Sequence, residues 1–460
     1  MGAGKSTLGP EVARRLGRPF VDLDAELERA LGTSIQQLFT QEGEAAFRVK
    51  EAIKAREALR TQPRAVIALG GGAVGTASVR EDLRTHAFTV QLDVDADVAW
   101  ERAGGSGRPL AQDAEEFRSL FEHRRALYAQ TADGLAHDAD DVVLAAAGVR
   151  VAVGSLELLG ALVPGGAPIA LVTDPHVAGI HGAAAQLALG DRLASTHEVP
   201  AGEEAKTLAV VERLWSELRL DRGGTVVALG GGCVTDVAGF AAATYLRGIP
   251  WTAVPTTLVG QVDAAIGGKT AIDLPQGKNL VGTFHWPART VVDPALLETL
   301  PERERREGLA EVVKTGLLAG EPLWELPQAE LVRSCAAFKA AVCLRDPHDR
   351  GEREVLNLGH TFAHALEAAA GYEDVTHGSA VALGLLAALR LSGRPTDVVE
   401  EVLAPRPVRV DRERAWQALL RDKKSRADEL RLVLLGDDGP CVEPVPEETV
   451  RSALLELIAD

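Results

Sequence analysis

Thr225-Val226-Val227-Ala228-Leu229-Gly230-Gly231-Gly232-Cys233-Val234 runs from β-branched and apolar residues into three glycines. A short apolar run without polar alternation predicts a strand buried on both faces, as in a parallel sheet covered by helices. Glycines directly after such a strand let backbone N–H groups approach an oxygen-rich ligand. Nearly the same string stands at Ala65–Val74 (AVIALGGGAV), but the flanks differ, so the duplication is local and not a repeat of whole domains. Both copies point to an α/β fold.

Outward from these two anchors, short β-branched runs alternate with amphipathic stretches. In the first part of the chain, residues 19–24, 65–69 and 89–93 read as strands, residues 24–38 and 42–59 as helices, and 138–144 as a last strand. A junction follows at 145–168, ending in the breaker Pro164-Gly165-Gly166. A second α/β segment is expected from Ile169 onward. Beyond about Leu296 the β-runs nearly vanish, and helical periodicity dominates at 303–318, 331–346, 355–370 and 378–391.

The 460 residues suit two to four domains. Acidic residues outnumber basic ones 66 to 49, for a net charge of −17. Such a surface repels phosphate backbones, so no nucleic-acid partner is expected. The most apolar stretch, Ala380–Leu389, is about half the length that spans a bilayer, so no membrane partner is expected either. Four cysteines lie outside any C-x-x-C spacing, which suits free thiols in a reducing cytoplasm. The glycine-rich start does not read as a secretory leader.

Gly2-Ala3-Gly4-Lys5-Ser6-Thr7 is the tail of a phosphate-binding loop. In such a loop the backbone amides and the next helix N-terminus cradle phosphates, Lys5 reaches the outer phosphate oxygens, and the Ser6 hydroxyl binds Mg²⁺. Asp22 and Asp24 alternate at a strand end, so they face opposite ways unless the chain bends. One beside a metal and one beside a reacting hydroxyl would suit phosphoryl transfer, and an N-cap with a solvated turn is the other reading. Arg48, Arg108 and Arg125 could clamp a carboxylate or the transferred phosphate. Arg108 follows Gly104-Gly105-Ser106-Gly107, a loop flexible enough for a closing lid.

In order, GAGKST, FVDLD, EAAFR, ALGGGAV, GRPL and RALY make residues 1–145 resemble shikimate kinase. The resemblance implies ATP with Mg²⁺ on Gly2, Gly4, Lys5, Ser6 and Thr7, and the metal beside Ser6 and Asp22. It implies Asp24 at the reacting hydroxyl, Arg108 on the lid, and shikimate on Asp24, Arg48, Gly71, Gly72 and Arg125. That family leads into the loop with a strand, whereas this sequence begins inside the loop, so a true start further upstream is expected. The family's closing helix is expected to be missing or merged into residues 155–162.

Further along, Glu311, His360 and His377 are three separated groups that together make a catalytic-zinc ligand set, two imidazoles and a carboxylate with a fourth position open. His360 and His364 are four apart on one helix face, which leaves open that both bind a metal. Cations gather in the same part of the chain: Arg247, Lys269, Lys278, Lys314, Lys339, Arg353, Lys423 and Lys424. Lysines beside glycines, as at Lys269 and Lys278, suit a phosphate or carboxylate pocket.

From about residue 149 to the end, the strings PAGEEAK, LGGGCVTDVAGF, VPTTL, VDAAIGGKTAID, GKNLVGTF, GLAEVVKTGLL, LNLGHTFAHALE, HGSAVALG and RDKKSR resemble 3-dehydroquinate synthase. The resemblance implies Glu311, His360 and His377 as ligands of Zn²⁺ or Co²⁺, and His364 as a substrate and proton-transfer residue. It implies Asp263, Lys269, Lys278, Asn279, Lys314, Lys339, Arg353 and Asn357 facing the substrate, with Arg247 near its phosphate and one of Lys423 and Lys424 reaching it. NAD would lie on Asp174, Glu203, Lys206, Gly231, Gly232, Asp236, Thr256 and Thr257. His176 and Ala363 depart from the family's usual residues without removing a charged group.

Together the two resemblances imply a P-loop kinase-type parallel-sheet domain at 1–147, a Rossmann-like α/β domain at 148–296 and a mostly helical metal and substrate domain at 297–460. The implied activities are a phosphate lyase that regenerates its NAD each turnover and an ATP-dependent kinase, both in the shikimate pathway. A related sugar-phosphate cyclase fused to a non-catalytic nucleotide-binding module is the alternative. Small-molecule substrates and a homodimer through the synthase part are the expected partners.

Overall fold

The computed structural model describes residues 2–103, 113–371, 375–422 and 429–459. The chain divides into two compact units, Met1–Ala147 and Gly148–Asp460.

In the first unit, β1 (Phe20–Asp22) pairs in parallel with β2 (Val66–Ala68), and β3 (Val90–Leu92) pairs in parallel with β4 (Gly134–Ala136). The helix Lys5–Arg15 follows the phosphate-loop residues directly. Two expected boundaries move. The helix expected over 24–38 ends at Leu31, and a capping box at Ser34 and Gln37 opens a new helix, Ile35–Thr61. The strand expected at 138–144 is instead the helix Ala139–Ala146, because the Asp138 carboxylate caps it by accepting from the Asp141 N–H. The strand of that region is β4, just before it.

The second unit is built on a six-stranded parallel sheet in the order β5-β12-β9-β8-β6-β7, with β5 Val149–Val151, β6 Ile169–Thr173, β7 Leu193–Glu198, β8 Thr225–Gly230, β9 Trp251–Pro255 and β12 Arg289–Val292. Every residue of β6, β8 and β9 is buried. Alternate side chains enter two cores. Ala170, Val172, Val226 and Ala228 face the helices Leu208–Glu217 and Gly232–Thr244, while Ile169, Leu171, Val227 and Leu229 face the helices Leu159–Leu162 and Ala183–Leu189. The junction thus holds an edge strand, β5, that its lone Val-Arg-Val did not announce. Residues 155–162 contribute Leu156 and Leu159 to this second unit's core and do not close the first unit's fold.

An antiparallel hairpin, β10 (Lys269–Leu274) with β11 (Gly277–Phe284), adds Ile272 to the core shared by β8 and the helix Gly232–Thr244. The remainder is mostly helical: Glu302–Ala319, Gln328–Arg345, His360–Ala369 and His377–Leu391 pack around Ala310, Val342, Leu358 and Val381. The β-poor reading of this part missed a second hairpin, β13 (Glu429–Gly436) with β14 (Gly439–Pro446). Leu430, Leu432 and Leu434 cover one core while Val433 and Leu435 cover another, a period of two that a helix cannot sustain. No described helix is long and apolar enough to cross a membrane.

Candidate functional sites

In the second unit the chain passes from β6 outward to β7 and returns to β8 on the other side of β6. This reversal opens a crevice at the carboxyl ends of β6 and β8, where open α/β sheets bind ligands. Asp174 follows β6 and accepts from the N–H groups of His176 and Val177. Gly231 and Gly232 follow β8 and start the helix Gly232–Thr244. A Cβ on Gly231 would stand 3.1 Å from the Thr257 methyl, so a larger residue would press on Thr257 where glycine leaves it room. The Thr256 N–H bonds the Gly230 carbonyl at 3.0 Å and locks that approach.

Beside this turn lies a polar network. Buried Lys206 donates to Asp236 at 2.7 Å and to the Asn279 side-chain oxygen, and Lys278 pairs with Glu203 at 2.8 Å. Burial pushes the Asp236 carboxyl up to about 6 against the pull of Lys206. Asn279 is held in the left-handed region, φ 57°, by its own N–H donating to Asp273. The predicted residues Asp174, Glu203, Lys206, Gly231, Gly232, Asp236, Thr256 and Thr257 therefore surround a glycine cradle at the switch point, and the fit to a dinucleotide is good.

Helices bring the next cluster together. Glu311 on Glu302–Ala319 sends Oε1 to within 3.1 Å of His377 Nε2 and 3.3 Å of His360 Nε2. One ligand atom from each of the three residues lies within 4.8 Å of the others. The second oxygen, Oε2, is buried without an aligned hydrogen bond and pairs with Lys314 Nζ. Two imidazole nitrogens converging on a buried carboxylate are a donor set that fits a divalent transition metal with a position left open. His364, grouped with His360 in one sequence reading, lies outside this set. Its ring stands edge-on to His360 at 5.5 Å and is exposed.

Two buried lysines flank the cluster. Asp263 accepts from Lys339 at 2.7 Å and lies 3.5 Å from Lys314. Burial alone would raise the Asp263 carboxyl, but the two ammonium groups overturn it and hold the carboxyl well below its usual range. Arg353 is buried, donates to the Gly267 carbonyl at 2.9 Å and leaves Nε without a partner. The Asp346 carboxylate accepts from the N–H groups of Arg350, Gly351 and Arg353, which shapes the turn presenting that arginine. Lys269 pairs with Asp349 near the rim, and Asn357 is half-buried at the end of the turn Glu352–Asn357. Arg247 stands apart, exposed on the turn Tyr245–Arg247 with φ 70°. Lys423 and Lys424 lie outside the described residues. Sequence reading missed Glu367, a buried carboxylate 3.7 Å from His377 Nδ1, although its place three residues after His364 on one helix face was visible.

In the first unit a cleft of about 790 Å³ is lined by Gly2 to Thr7, Asp22, Asp24, Arg48, Glu51, Gly70 to Gly72, Arg102 and Arg124. The two aspartates do share it. The chain turns into a helix at Leu23, Asp22 becomes its cap, and the Ser6 hydroxyl donates to Asp22 at 2.7 Å. A hydroxyl and a carboxylate oxygen at that spacing, beside a helix N-terminus, fit a hard cation carrying phosphates. Arg48 is braced by Glu51 at 2.7 Å and Glu44 at 2.9 Å, and Tyr128 donates to the Gly71 carbonyl. The expectation for Arg125 is corrected here. Arg125 is exposed and paired with Glu122, while its neighbour Arg124 enters the cleft, because one residue of helix turns a side chain by about 100°. Arg108 lies outside the described residues.

Comparison with known proteins follows this division. The shikimate kinase family model matches residues 1–148, and the models of 3-dehydroquinate synthase match residues 196–307 (N-terminal) and 308–425 (C-terminal). The bifunctional shikimate kinase/3-dehydroquinate synthase of Thermotoga maritima is 34% identical over 92% of this chain and 92% of its own. The 3-dehydroquinate synthase of Bordetella pertussis is 39% identical over 66% of this chain and 95% of its own. Among solved structures, 2-deoxy-scyllo-inosose synthase complexed with carbaglucose-6-phosphate, NAD⁺ and Co²⁺ superposes with a TM-score of 0.61 at 26% identity, over 67% of this chain and 96% of that one. With both halves matched in this order along one polypeptide, the chain belongs to the family of bifunctional shikimate kinase/3-dehydroquinate synthases.

Proposed function

We propose that residues 148–460 convert 3-deoxy-D-arabino-heptulosonate 7-phosphate to 3-dehydroquinate and phosphate, and that residues 1–147 phosphorylate shikimate with ATP. The observation that carries the synthase reading is the convergence of Glu311, His360 and His377 beside Lys314 and Lys339. A Zn²⁺ or Co²⁺ ion on those three ligands would supply Lewis acidity to a substrate hydroxyl. NAD in the glycine cradle would supply reversible hydride acceptance.

The chain's own residues do the rest. Lys339 and Lys314, paired with Asp263 and Glu311, supply ammonium donors beside the Glu311 cluster for an anionic substrate. Lys278, Asn279, Arg353 and Asn357 line the carboxylate-binding side and Lys269 the rim, while Arg247, apart on its exposed turn, is assigned no contact with this cluster. His364, exposed beside His360, is placed to carry a proton between substrate and solvent. Asp174, Glu203, Lys206, Asp236, Thr256 and Thr257 hold the dinucleotide around Gly231 and Gly232.

In the kinase unit, Gly2, Gly4, Lys5, Ser6 and Thr7 hold the nucleotide, with Mg²⁺ beside Ser6 and Asp22. Asp24 receives the reacting hydroxyl, and Arg48, Gly71, Gly72 and Arg124 hold shikimate. The ATP–Mg²⁺ pair would supply the phosphoryl group, and these residues supply position and charge. A cytoplasmic homodimer built through the synthase part is the assembly we expect.

The test assays both reactions on purified protein. Phosphate release from heptulosonate phosphate, absent with sedoheptulose phosphate and without net NADH, supports the synthase. Release from the sugar phosphate instead supports the related cyclase. ADP formation that requires shikimate supports the kinase, and nucleotide binding without it supports a binding module.

A further inference from the structure

Each histidine of the proposed metal set offers Nε2 toward Glu311, so the opposite nitrogen decides how firmly that offer is held. A neutral imidazole that gives its Nε2 lone pair to a metal must carry its proton on Nδ1, and an acceptor there fixes both tautomer and ring angle. For His360 the acceptor is a backbone carbonyl, Leu358 O, 3.3 Å from Nδ1. For His377 the facing group is the Glu367 carboxylate, whose Oε1 lies 3.7 Å from Nδ1, at ion-pair distance and a small ring turn short of a hydrogen bond.

Glu367 is only 5% exposed, and burying a carboxylate is costly unless a partner repays it. It lies on the helix His360–Ala369, two turns beyond His360, so one rigid element carries both a proposed ligand and the brace of another. The backbone of His377 is held separately, since the Gly378 N–H donates to Glu307, one turn before Glu311 on the neighbouring helix. The main chain at His377 is therefore fixed from one side, and the ring still needs its angle set from the other.

We infer that Glu367 is the positioning residue that holds His377 in the Nδ1–H tautomer and aims Nε2 at the metal. This rests on the reading of Glu311, His360 and His377 as ligands, given under the proposed function.

The experiment uses the full chain stripped of metal and titrated with Co²⁺, followed by the visible absorption of the bound ion. Wild type, Glu367→Gln and Glu311→Gln are compared, with urea unfolding of each metal-free protein. Glu367→Gln is expected to bind Co²⁺ about 10- to 100-fold more weakly, with displaced absorption bands and an unchanged metal-free unfolding midpoint. Equal affinity and identical bands in Glu367→Gln and wild type would overturn the positioning role while leaving the ligand reading intact. Co²⁺ bands indifferent to Glu311→Gln would overturn the ligand reading itself and this inference with it. If Glu367→Gln does not fold, long-range ¹⁵N–¹H spectra of ¹⁵N-histidine-labelled wild type loaded with Zn²⁺ decide. A proton on His377 Nδ1 is the expected result, and one on Nε2 refutes the inference.

Discussion

Gly384 presses against Gly359 so closely that a Cβ on Gly384 would stand 2.0 Å from the Gly359 carbonyl oxygen. Gly359 is the left-handed N-cap of the helix bearing His360, with φ 78°, and Gly384 lies in the middle of the helix that starts at His377. The contact thus sets the spacing between two elements that each supply an imidazole to the Glu311 cluster. Gly384→Ala is expected to destabilise the chain by about 1–3 kcal/mol through overpacking, and to weaken divalent-metal binding as well. Urea unfolding and Co²⁺ titration check both. Unaltered metal affinity in a destabilised variant would show that the spacing does not matter to the site.

Asp263 is shared by two ammonium groups, and this asymmetry predicts an order of effects. Removing Lys339 leaves Asp263 still close to Lys314, whereas removing the Asp263 charge leaves two lysines facing each other beside Glu311. Breaking a buried pair from the side that strands a charge costs about 3–5 kcal/mol. Asp263→Asn is therefore expected to lose more stability than Lys339→Met. Chemical denaturation at neutral pH measures the order, and equal losses would mean that solvent compensates the stranded ammonium groups.

Cys233 stands in the first turn of the helix Gly232–Thr244, just behind the glycines that end β8, where a reactive thiol would draw attention as a nucleophile. Its surroundings argue otherwise. Burial, reinforced by the negative charge of Glu203, pushes its pKa up to about 12. A raised thiol pKa means less thiolate at a given pH, so roughly one molecule in ten thousand is ionised at pH 8. Alkylation by iodoacetamide, mapped by mass spectrometry, should be very slow at Cys233 near neutrality and rise about tenfold per pH unit up to pH 11. Rapid labelling at pH 8 would contradict this environment.

The parts of the fold that could be read in advance are those where one period has no rival. Thr225–Gly230 is apolar on both faces and ends in glycines, so a central parallel strand and its crevice follow directly. Val142-Val143-Leu144 satisfies a strand and a helix equally, and only the Asp138 cap decides between them. The hairpin of β13 and β14 is missed although Leu430, Leu432 and Leu434 alternate with Arg431, Val433 and Leu435, because the part beyond Leu296 is read from its helical periodicity alone. The set Glu311, His360 and His377 was legible as residue types, but its members lie on three helices. Only packing such as Gly384 on Gly359 shows that Glu311, His360 and His377 meet while the nearby His364 stays outside.

Adjacent arginines pose the same problem of register in the kinase unit, and there the outcome can be measured. Arg124 and Arg125 have equal charge and reach, but the helix Ala114–Thr131 points them in different directions. Arg124 lies in the cleft with Arg48 and Glu51, while Arg125 is 58% exposed beside Glu122 at 3.9 Å. Exposed pairs of that kind contribute about 0–1 kcal/mol, so Arg125→Ala should leave both stability and kinase kinetics nearly unchanged. Arg124→Ala removes a charge-assisted contact to an anionic substrate, worth about 1.5–3 kcal/mol, or roughly 10- to 100-fold in kcat/KM for shikimate. The loss should fall on shikimate and spare KM for ATP, because the phosphate loop Gly2–Thr7 is untouched. Steady-state kinetics of the two variants, varying one substrate at a time, separate these outcomes. A larger defect in Arg125→Ala than in Arg124→Ala would place the helix one residue out of register with its cleft.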